Sequence, residues 1–390
     1  MAGQRIVVTG LGVVSAAGVT RDAFYDALAT GRSGIGPLPD GRPIARVGDF
    51  GARAVLDPKA LRRLARVSQM VLVAARQALG QSMPAAAPER SGIVLGTGLG
   101  TLRETYEYMK GHIEGGVEAA SPLLFPSSVA NAAAGQAALE LGWRGANSTV
   151  NHRELSPIAA LIMAADLLAL GRADVILAGG VEDASDVMLH GYRRLGGLSP
   201  TGLRPYARGR DGTVLGEGAA VFVLEREADA RARGATLLAY VAGRAMGGEE
   251  RPRLGWGRAW EEAARVLTDA LAEAGLGPDD VDYVAGGGAG LRVDALEARA
   301  VGAALGRARP HGSILGQTGE FMASGALRVA AALYALERQA LPGTVGAGEP
   351  DPEAPVPDLV REPRAARVGA VLVPSLSQGG ADAALVLTKG

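Results

Sequence analysis

The sequence predicts an α/β fold in which layers of sheet and helix alternate. Short apolar runs that end in glycine alternate with Ala- and Arg-rich stretches of helical character. The runs are rich in β-branched residues and almost uninterrupted, which is typical of strands covered on both faces. No repeat with a period of about 20–50 residues occurs, which excludes a solenoid.

Eight strands and six helices stand out along the chain. The strands are predicted at residues 5–10, 91–96, 173–180, 219–224, 237–241, 283–285, 368–373 and 384–387. The helices are predicted at residues 21–30, 61–79, 157–170, 259–274, 292–305 and 325–337. Ser156 is expected to be the N-cap of its helix, with Pro157 at the first helical position. A charged segment at 226–234 separates two such blocks, which predicts a division into residues 1–235 and 236–390.

Composition excludes several classes of protein. The 390 residues are 48% hydrophobic and 21% charged, which is usual for a globular chain. The net charge of -1 gives no electrostatic basis for binding nucleic acid or an anionic membrane. The start of the chain lacks the features of a signal peptide, and the most apolar stretch, 158–170, is interrupted by Asp166 and is expected to be a buried helix. We expect a cytoplasmic protein with no membrane or nucleic-acid partner.

The sequence contains no cysteine, which excludes disulfides, thiolate metal sites and a cysteine nucleophile. The four histidines, His112, His152, His190 and His311, are scattered without the spacing of a metal site, so no metal is expected. The loop at 96–100 contains alternating glycines but lacks the full dinucleotide-binding spacing, and we interpret it as a structural turn.

Four segments occur in the order found in the β-ketoacyl synthase family. They are RIVVTGLGVVSAAG, SPLLFPSSVANAAAGQAALELGWRGANSTV, ADVILAGGVED and RPYARGRDGTVLGEGAAVFVLE. The chain resembles that family over nearly its whole length. The resemblance implies a thiolase-like, five-layered α/β/α/β/α fold made of two similar halves, and an intimate dimer.

Working ketosynthases use a Cys nucleophile and two His residues, and this chain departs from the pattern at each position. Counting back from ADVILAGG places Glu154 at the Cys position. Gly287 and Glu320 fall where the two His are expected, and Leu315 falls where the family has a Lys. Gln378 replaces the Phe of the C-terminal gating loop. Since a carboxylate cannot form the stable acyl thioester, the resemblance implies no catalytic residue in this chain.

This combination resembles the chain-length factors, the β-subunits of type II polyketide ketosynthases. These pair with an active ketosynthase α-subunit in a heterodimer, help to form the acyl tunnel and limit product length. The resemblance implies an acyl carrier protein as second partner, which delivers the phosphopantetheine arm, and no cofactor in this chain. Typical members have Gln where this chain has Glu154, which suggests a divergent branch that serves reduced or polyene chains.

A cluster of aromatic and apolar residues precedes and includes the loop at 121–126 in a chain with only 4% aromatics. In chain-length factors the corresponding region faces the partner and helps to close the tunnel. Ordinary helix packing is the alternative for any one of these residues. The predicted tunnel or partner-facing residues are Tyr106, Tyr108, Met109, His112, Leu124 and Phe125.

Other interpretations stay open from the sequence. Glu154 can be a structural filler or an interface contact, or it can converge with Glu320 into an acid–base pair. His152, two residues before Glu154, is expected to be a buried side chain of the core or of an interface, with partners for its hydrogen-bonding groups. The alternatives to a chain-length factor are a homodimeric acyl-binding scaffold without a synthase partner and a divergent thioester hydrolase that uses Glu154 and Glu320.

Overall fold

Two five-stranded units dominate the computed structural model, which describes residues 4–248 and 260–390. The described strands are β1 Ile6–Ser15, β2 Gly36–Pro37, β3 Pro43–Ile44, β4 Ser91–Gly96, β5 Asn147–Val150, β6 Val175–Glu182, β7 Gly218–Arg226, β8 Ala239–Gly248, β9 Tyr283–Ala285, β10 His311–Gly312, β11 Ala340–Leu341, β12 Arg364–Ala365, β13 Ala370–Leu376 and β14 Ala381–Lys389. The described α-helices are α1 Arg21–Thr30, α2 Ala52–Val55, α3 Pro58–Arg63, α4 Arg66–Ser82, α5 Leu102–Gly115, α6 Ala132–Leu141, α7 Ser156–Ala169, α8 Asp186–Arg194, α9 Glu227–Ala232, α10 Glu261–Glu273, α11 Val293–Leu305, α12 Leu315–Thr318 and α13 Gly325–Arg338.

The two units repeat one topology. The strand order is β5-β4-β6-β7-β1 in the first unit and β10-β9-β13-β14-β8 in the second. When the strands of each unit are counted separately, both orders place the third strand at the outer edge and the first strand at the inner one. Parallel and antiparallel pairs also occur at equivalent places. The chain therefore consists of two similar halves, and the change from one to the other lies between β7 and β8. The boundary between residues 1–235 and 236–390 stays a prediction.

Helices α7 and α13 form a layer between the halves. Each contacts strands of both units, α7 on β4, β6 and β14, and α13 on β7, β13 and β14. Helices α4 and α6 cover the outer face of the first unit, and α10 and α11 cover that of the second. The alternation of helices and sheets gives five layers, as the family resemblance implies. Most residues of both helices are buried, which explains the largely apolar sequence of α7 and α13.

The local predictions are correct in type and differ at several boundaries. The predicted helix at 61–79 is divided into α3 and α4 because Leu64 and Ala65 are extended. The Gln69 amide donates to the carbonyls of Leu61 and Leu64, which satisfies the C-terminal end of α3. The helix predicted at 259–274 begins at Glu261, and residue 259 lies outside the described residues.

The prediction that Ser156 caps its helix is wrong. Ser156 is the first residue of α7, and a short 3-10 turn, Arg153–Leu155, precedes it. The Ser156 hydroxyl donates to the carbonyl of Arg153 at 2.6 Å and accepts from the N–H of His152 at 2.9 Å. It therefore closes the preceding turn instead of satisfying the free N–H groups of α7.

Strand β5 lies at one outer edge of the sheet, and among the described strands it pairs only with β4. Helix α5 lies on the surface and has no buried residue. Within residues 4–248 and 260–390, no helix has both the length and the apolar character that crossing a membrane requires.

Candidate functional site

Four predicted positions, Glu154, Gly287, Glu320 and Gln378, line one cavity. They come from the turn before α7, the loop after β9, the segment after α12 and the turn between β13 and β14. The cavity has a volume of about 60 Å³. The space is large enough for a few water molecules but lies far below the roughly 300–1,000 Å³ of small-molecule sites.

Glu154 is held from the strand on the other side of the cavity. Its Oε2 accepts from the Ser377 hydroxyl at 2.7 Å, and its backbone carbonyl accepts from Ser375 Oγ at 3.2 Å. Arg153 Nε lies 3.5 Å from the same Oε2. Arg153 also donates from Nη2 to the Gln378 side-chain carbonyl at 2.7 Å. The turn before α7 and the turn between β13 and β14 are therefore connected through side chains at the position of the expected nucleophile.

Arg153 has a left-handed backbone with φ of 54°. This region is unfavourable for a residue with a long side chain, so tertiary contacts must hold it there. The hydrogen bond to Gln378 and the bond from Ser156 Oγ to the Arg153 carbonyl are such contacts. The strained residue therefore directly precedes Glu154.

Glu320 is fixed by backbone pairing and its carboxyl lies in the cavity wall. Its N–H donates to the Val214 carbonyl at 2.7 Å, and its carbonyl accepts from the Gly216 N–H at 2.8 Å. Ser324 Oγ donates to its Oε2 at 2.9 Å. Burial raises the pKa of Glu320 to about 8, while Arg328 and Ser324 oppose the shift and Glu154 adds to it. At neutral pH the Glu320 carboxyl is mostly protonated.

Gly287 leaves room for a buried carboxylate. Its N–H donates to both oxygens of Glu297, each at 3.0 Å. A Cβ atom at position 287 would lie 2.9 Å from Glu297 Oε2, closer than side chains normally approach. A His at this position therefore requires Glu297 to move.

Glu297 belongs to a buried polar network. It accepts from the Tyr206 hydroxyl, and His311 Nε2 lies 3.3 Å from Oε1 and 3.0 Å from the Tyr206 oxygen. Burial acts to raise the pKa of Glu297, but the hydrogen bond and charge of His311, with the charge of Arg328, hold it below its usual value. Glu297 also lines the cavity.

Arg328 is the one cation among the cavity-lining residues, all of which belong to the described part of the chain. Its side chain is buried, and Nη1 donates to the Pro374 carbonyl at 2.6 Å. Its charge opposes the upward shift in the pKa of Glu320. Sequence reasoning missed Arg328 and Glu297. Arg328 could have been recognised as a charged residue within an otherwise apolar helix. Glu297 could have been recognised as a charged residue on the buried face of α11.

The predicted tunnel residues lie apart from this cavity. Tyr106, Met109, His112 and Phe125 are exposed, while Tyr108 and Leu124 are half-buried. The rings of Tyr108 and Phe125 are in contact, with centroids 5.8 Å apart. We call the exposed side chains of α5 and residues 117–129 the α5 surface. In the single chain these residues form a surface and not the wall of an enclosed channel.

The loop at 96–100 is occupied by a carboxylate of the chain itself. Buried Glu182 accepts from the N–H groups of Gly98 and Leu99, at 2.7 and 3.1 Å, and from the Thr97 hydroxyl at 3.1 Å. These are the groups that would bind a phosphate in a nucleotide loop. The interpretation as a structural turn is confirmed.

His152 is not a core side chain, so that part of its expectation is wrong, while a place in an interface stays a prediction. His152 is exposed, because the turn before α7 directs it to solvent while its backbone N–H bonds to Ser156. The buried histidine near the cavity is His311, which reaches Glu297 from β10.

Residues 3–230 match the model of the beta-ketoacyl synthase N-terminal domain, and residues 238–347 match that of the C-terminal domain. The chain is 34% identical over 414 residues to the putative polyketide beta-ketoacyl synthase 1 of Streptomyces halstedii, covering 99% of this chain and 98% of that protein. It is 29% identical over 411 residues to the 3-oxoacyl-[acyl-carrier-protein] synthase 2 of Coxiella burnetii, covering 99% of both. The solved structure of the ishigamide ketosynthase/chain length factor superposes with a TM-score of 0.90 at 26% identity, covering 100% of each chain. Together with the order of motifs and the repeated five-layered topology, these matches show that the chain belongs to the β-ketoacyl synthase family.

Proposed function

We propose that this chain is a noncatalytic chain-length factor. In this role it pairs with an active ketosynthase, forms part of the acyl tunnel and limits the length of a polyketide or polyene chain. The complex condenses carrier-protein thioesters with loss of CO2. The observation that carries the proposal is the cavity at the expected nucleophile, which is lined by Glu154, Glu297 and Glu320 and by no thiol or imidazole among its described lining residues.

The chemistry of condensation argues against catalysis by this chain. A Cys thiolate accepts the acyl group as a thioester, which stays reactive toward a carbanion and resists water for the time needed. Attack by the Glu154 carboxylate on a thioester would instead give an anhydride, which water hydrolyses readily. The chain has no cysteine anywhere that could replace it.

The positions of the imidazoles are changed as well. Imidazoles in working relatives assist decarboxylation and stabilise the developing oxyanion. At the first of those positions, Gly287 donates its N–H to the Glu297 carboxylate, and a Cβ atom there would crowd Oε2. A substitution at position 154 alone therefore cannot rebuild the reactive set.

The edge of the sheet and the α5 surface supply a place for a partner. No described strand pairs with the outer side of β5, and such an edge is a template for pairing with another chain. A groove of about 350 Å³ between β5 and α6 contains Val129 and Leu139. On the adjoining α5 surface, Leu123 is 87% exposed and Phe125 is 58% exposed. An exposed apolar region beside an open edge supports a protein partner at this face.

The ketosynthase partner would supply the Cys and His residues and the opposite wall of the tunnel. Exposed Tyr106 and Met109, with the Tyr108–Phe125 ring pair, would contribute side-chain bulk on this side. A close-packed wall tolerates little extra volume, so bulk there would limit chain extension. An acyl carrier protein would deliver the growing chain on its phosphopantetheine arm, and the complex would function in the cytoplasm.

Co-expression with the nearest encoded ketosynthase tests the proposal. Native mass spectrometry should detect a 1:1 complex of the two chains. In that complex, replacing the partner's active-site Cys with Ala should abolish condensation, whereas Glu154→Gln should leave most of the rate. A persistent homodimer of each chain would contradict the proposal and favour the homodimeric acyl-binding scaffold.

Thioester hydrolysis by Glu154 and Glu320 is the second candidate. The raised pKa of Glu320, about 8, favours it, because a protonated carboxyl beside a second carboxyl in one cavity can act as a general acid. The isolated chain should then hydrolyse an acyl-pantetheine thioester, and Glu154→Gln and Glu320→Gln should each abolish the activity. Unchanged background rates in both variants would exclude this candidate.

A further inference from the structure

The second half of the molecule has a groove that the proposed function does not use. It lies along α11 and is closed by residues 306–311 and 355–357. Its volume is about 470 Å³, which is within the roughly 300–1,000 Å³ of small-molecule sites. We call this feature the α11 groove. It is far larger than the cavity at Glu154.

The walls of the α11 groove are mostly apolar. Ala298, Val301 and Gly302 of α11 lie on one side. Pro355, Val356 and Pro357 lie on the other, with Trp260 and Ala308 also in the lining. An alkyl chain placed between these walls would lose contact with water along its length, and each buried methylene strengthens binding about fourfold.

The groove is also cationic. Arg299, Arg307 and Arg309 line it, and no carboxylate is among the lining residues in the described part of the chain. The exposed guanidinium of Arg299 makes no ion pair or hydrogen bond within residues 4–248 and 260–390. Arg307 and Arg309 share the single carboxylate of Asp279, at 2.6 and 3.0 Å. The Nε of Arg309 is buried and has no partner in the described part.

We propose that the α11 groove binds an amphiphilic anion, an acyl chain that ends in a carboxylate. The apolar walls would hold the chain, and Arg299 with Arg307 would bind the carboxylate, for which the planar guanidinium is well suited. The inference is independent of the chain-length-factor proposal, because neither the Glu154 cavity nor the α5 surface contributes a residue to this groove.

Calorimetric titration with decanoate tests the site directly. One decanoate should bind per chain. Decanol and butyrate should each bind at least tenfold more weakly, because decanol lacks the carboxylate and butyrate lacks the long alkyl chain. Arg299→Gln should weaken decanoate binding about tenfold through loss of a charge-assisted contact. Arg292→Gln, at an exposed arginine near the start of α11 that does not line the groove, should leave binding unchanged.

Gly302→Leu provides a second and sharper test. A Cβ atom at Gly302 meets no atom of residues 4–248 and 260–390 within 4 Å, so the new side chain would enter the groove without displacing the described backbone. Leucine is also a better helix former than glycine, so thermal stability should not fall. This variant should lose decanoate binding. Gly80→Leu, the same change at an exposed glycine of α4 with equal free space, should bind as the unaltered protein does.

Three results would overturn the proposal. They are the absence of saturable decanoate binding by the unaltered protein, equal affinity for decanol and decanoate, and full binding by a folded Gly302→Leu variant.

Discussion

Replacing Glu320 with Gln should change how the stability of the protein depends on pH. The pKa of the Glu320 carboxyl is about 8 in the folded protein, against 4.5 for the free group. Between these values the folded chain holds a proton that the unfolded chain releases. The contribution of Glu320 to the free energy of unfolding is therefore fully present below about pH 4.5 and is lost as the pH rises toward 8. Gln cannot titrate, so the variant should lack this loss.

The size of the effect follows from the pKa difference. One proton difference between the folded and unfolded states changes stability by about 1.4 kcal/mol per pH unit. Between pH 5 and pH 7, the unaltered protein should lose roughly 2 to 3 kcal/mol relative to Glu320→Gln, and above pH 9 the difference should stay constant. Gln has the shape of the protonated carboxyl and can still accept the hydrogen bond from Ser324, so packing is kept.

Urea unfolding at pH 5, 7 and 9 measures this difference on the isolated chain. Burial raises the pKa of Glu182 and of Asp294 to about 7 each, but both groups titrate in the two proteins and cancel in the comparison. Glu118→Gln is the matched control, since Glu118 is exposed and its substitution should not alter the pH dependence. Parallel stability curves for Glu320→Gln and the unaltered protein from pH 5 to pH 9 would refute the reasoning.

Three further predictions concern the complex. Glu154→Cys should not restore condensation when the partner's own Cys is Ala, because no imidazole lines the cavity; product formation from a malonyl carrier protein is the measurement. Met109→Ala should lengthen the product, as measured by mass spectrometry of the carrier-bound chain, and unchanged length there and in Tyr108→Ala would contradict a tunnel at the α5 surface. Leu123→Asp should weaken the complex about tenfold in sedimentation, as expected for a lost apolar contact. Met83→Asp, at an apolar residue that is 75% exposed outside this surface, is the control.

The fold could be predicted where burial determines the pattern of residues. Strands β4 and β9 begin and end where the apolar runs do, because every residue in them is buried. Helix α5 was missed because it has no buried residue, so no apolar periodicity marks it. Strand β8 extends well beyond the predicted 237–241 because its later residues are half-exposed and include glycines.

The position of the candidate site could be predicted from the sequence, but its complete set of residues could not. The order of the family motifs placed Glu154, Gly287 and Glu320, and all three line one cavity. Glu297 and Arg328 were not predicted, because their roles depend on contacts with distant segments. Arg328 reaches the Pro374 carbonyl on β13, and Glu297 binds the Gly287 N–H across a loop. Motif spacing carries no information on such contacts.

The charges of the cavity explain why Glu154, Gly287 and Glu320 occur together. Its described lining residues include three carboxyl groups, from Glu154, Glu297 and Glu320, and one cation, Arg328. Burying several carboxylates beside one cation is costly unless some are hydrogen-bonded or protonated. The raised pKa of Glu320, about 8, is the consequence, while the Gly287 N–H and His311 stabilise the charge of Glu297. A Cys at position 154 would lie beside the buried Glu320 carboxyl and the Glu297 carboxylate, and no imidazole among the described lining residues would support its thiolate. Under the chain-length-factor proposal, the whole set of cavity residues, and not position 154 alone, accounts for the absence of condensation by this chain.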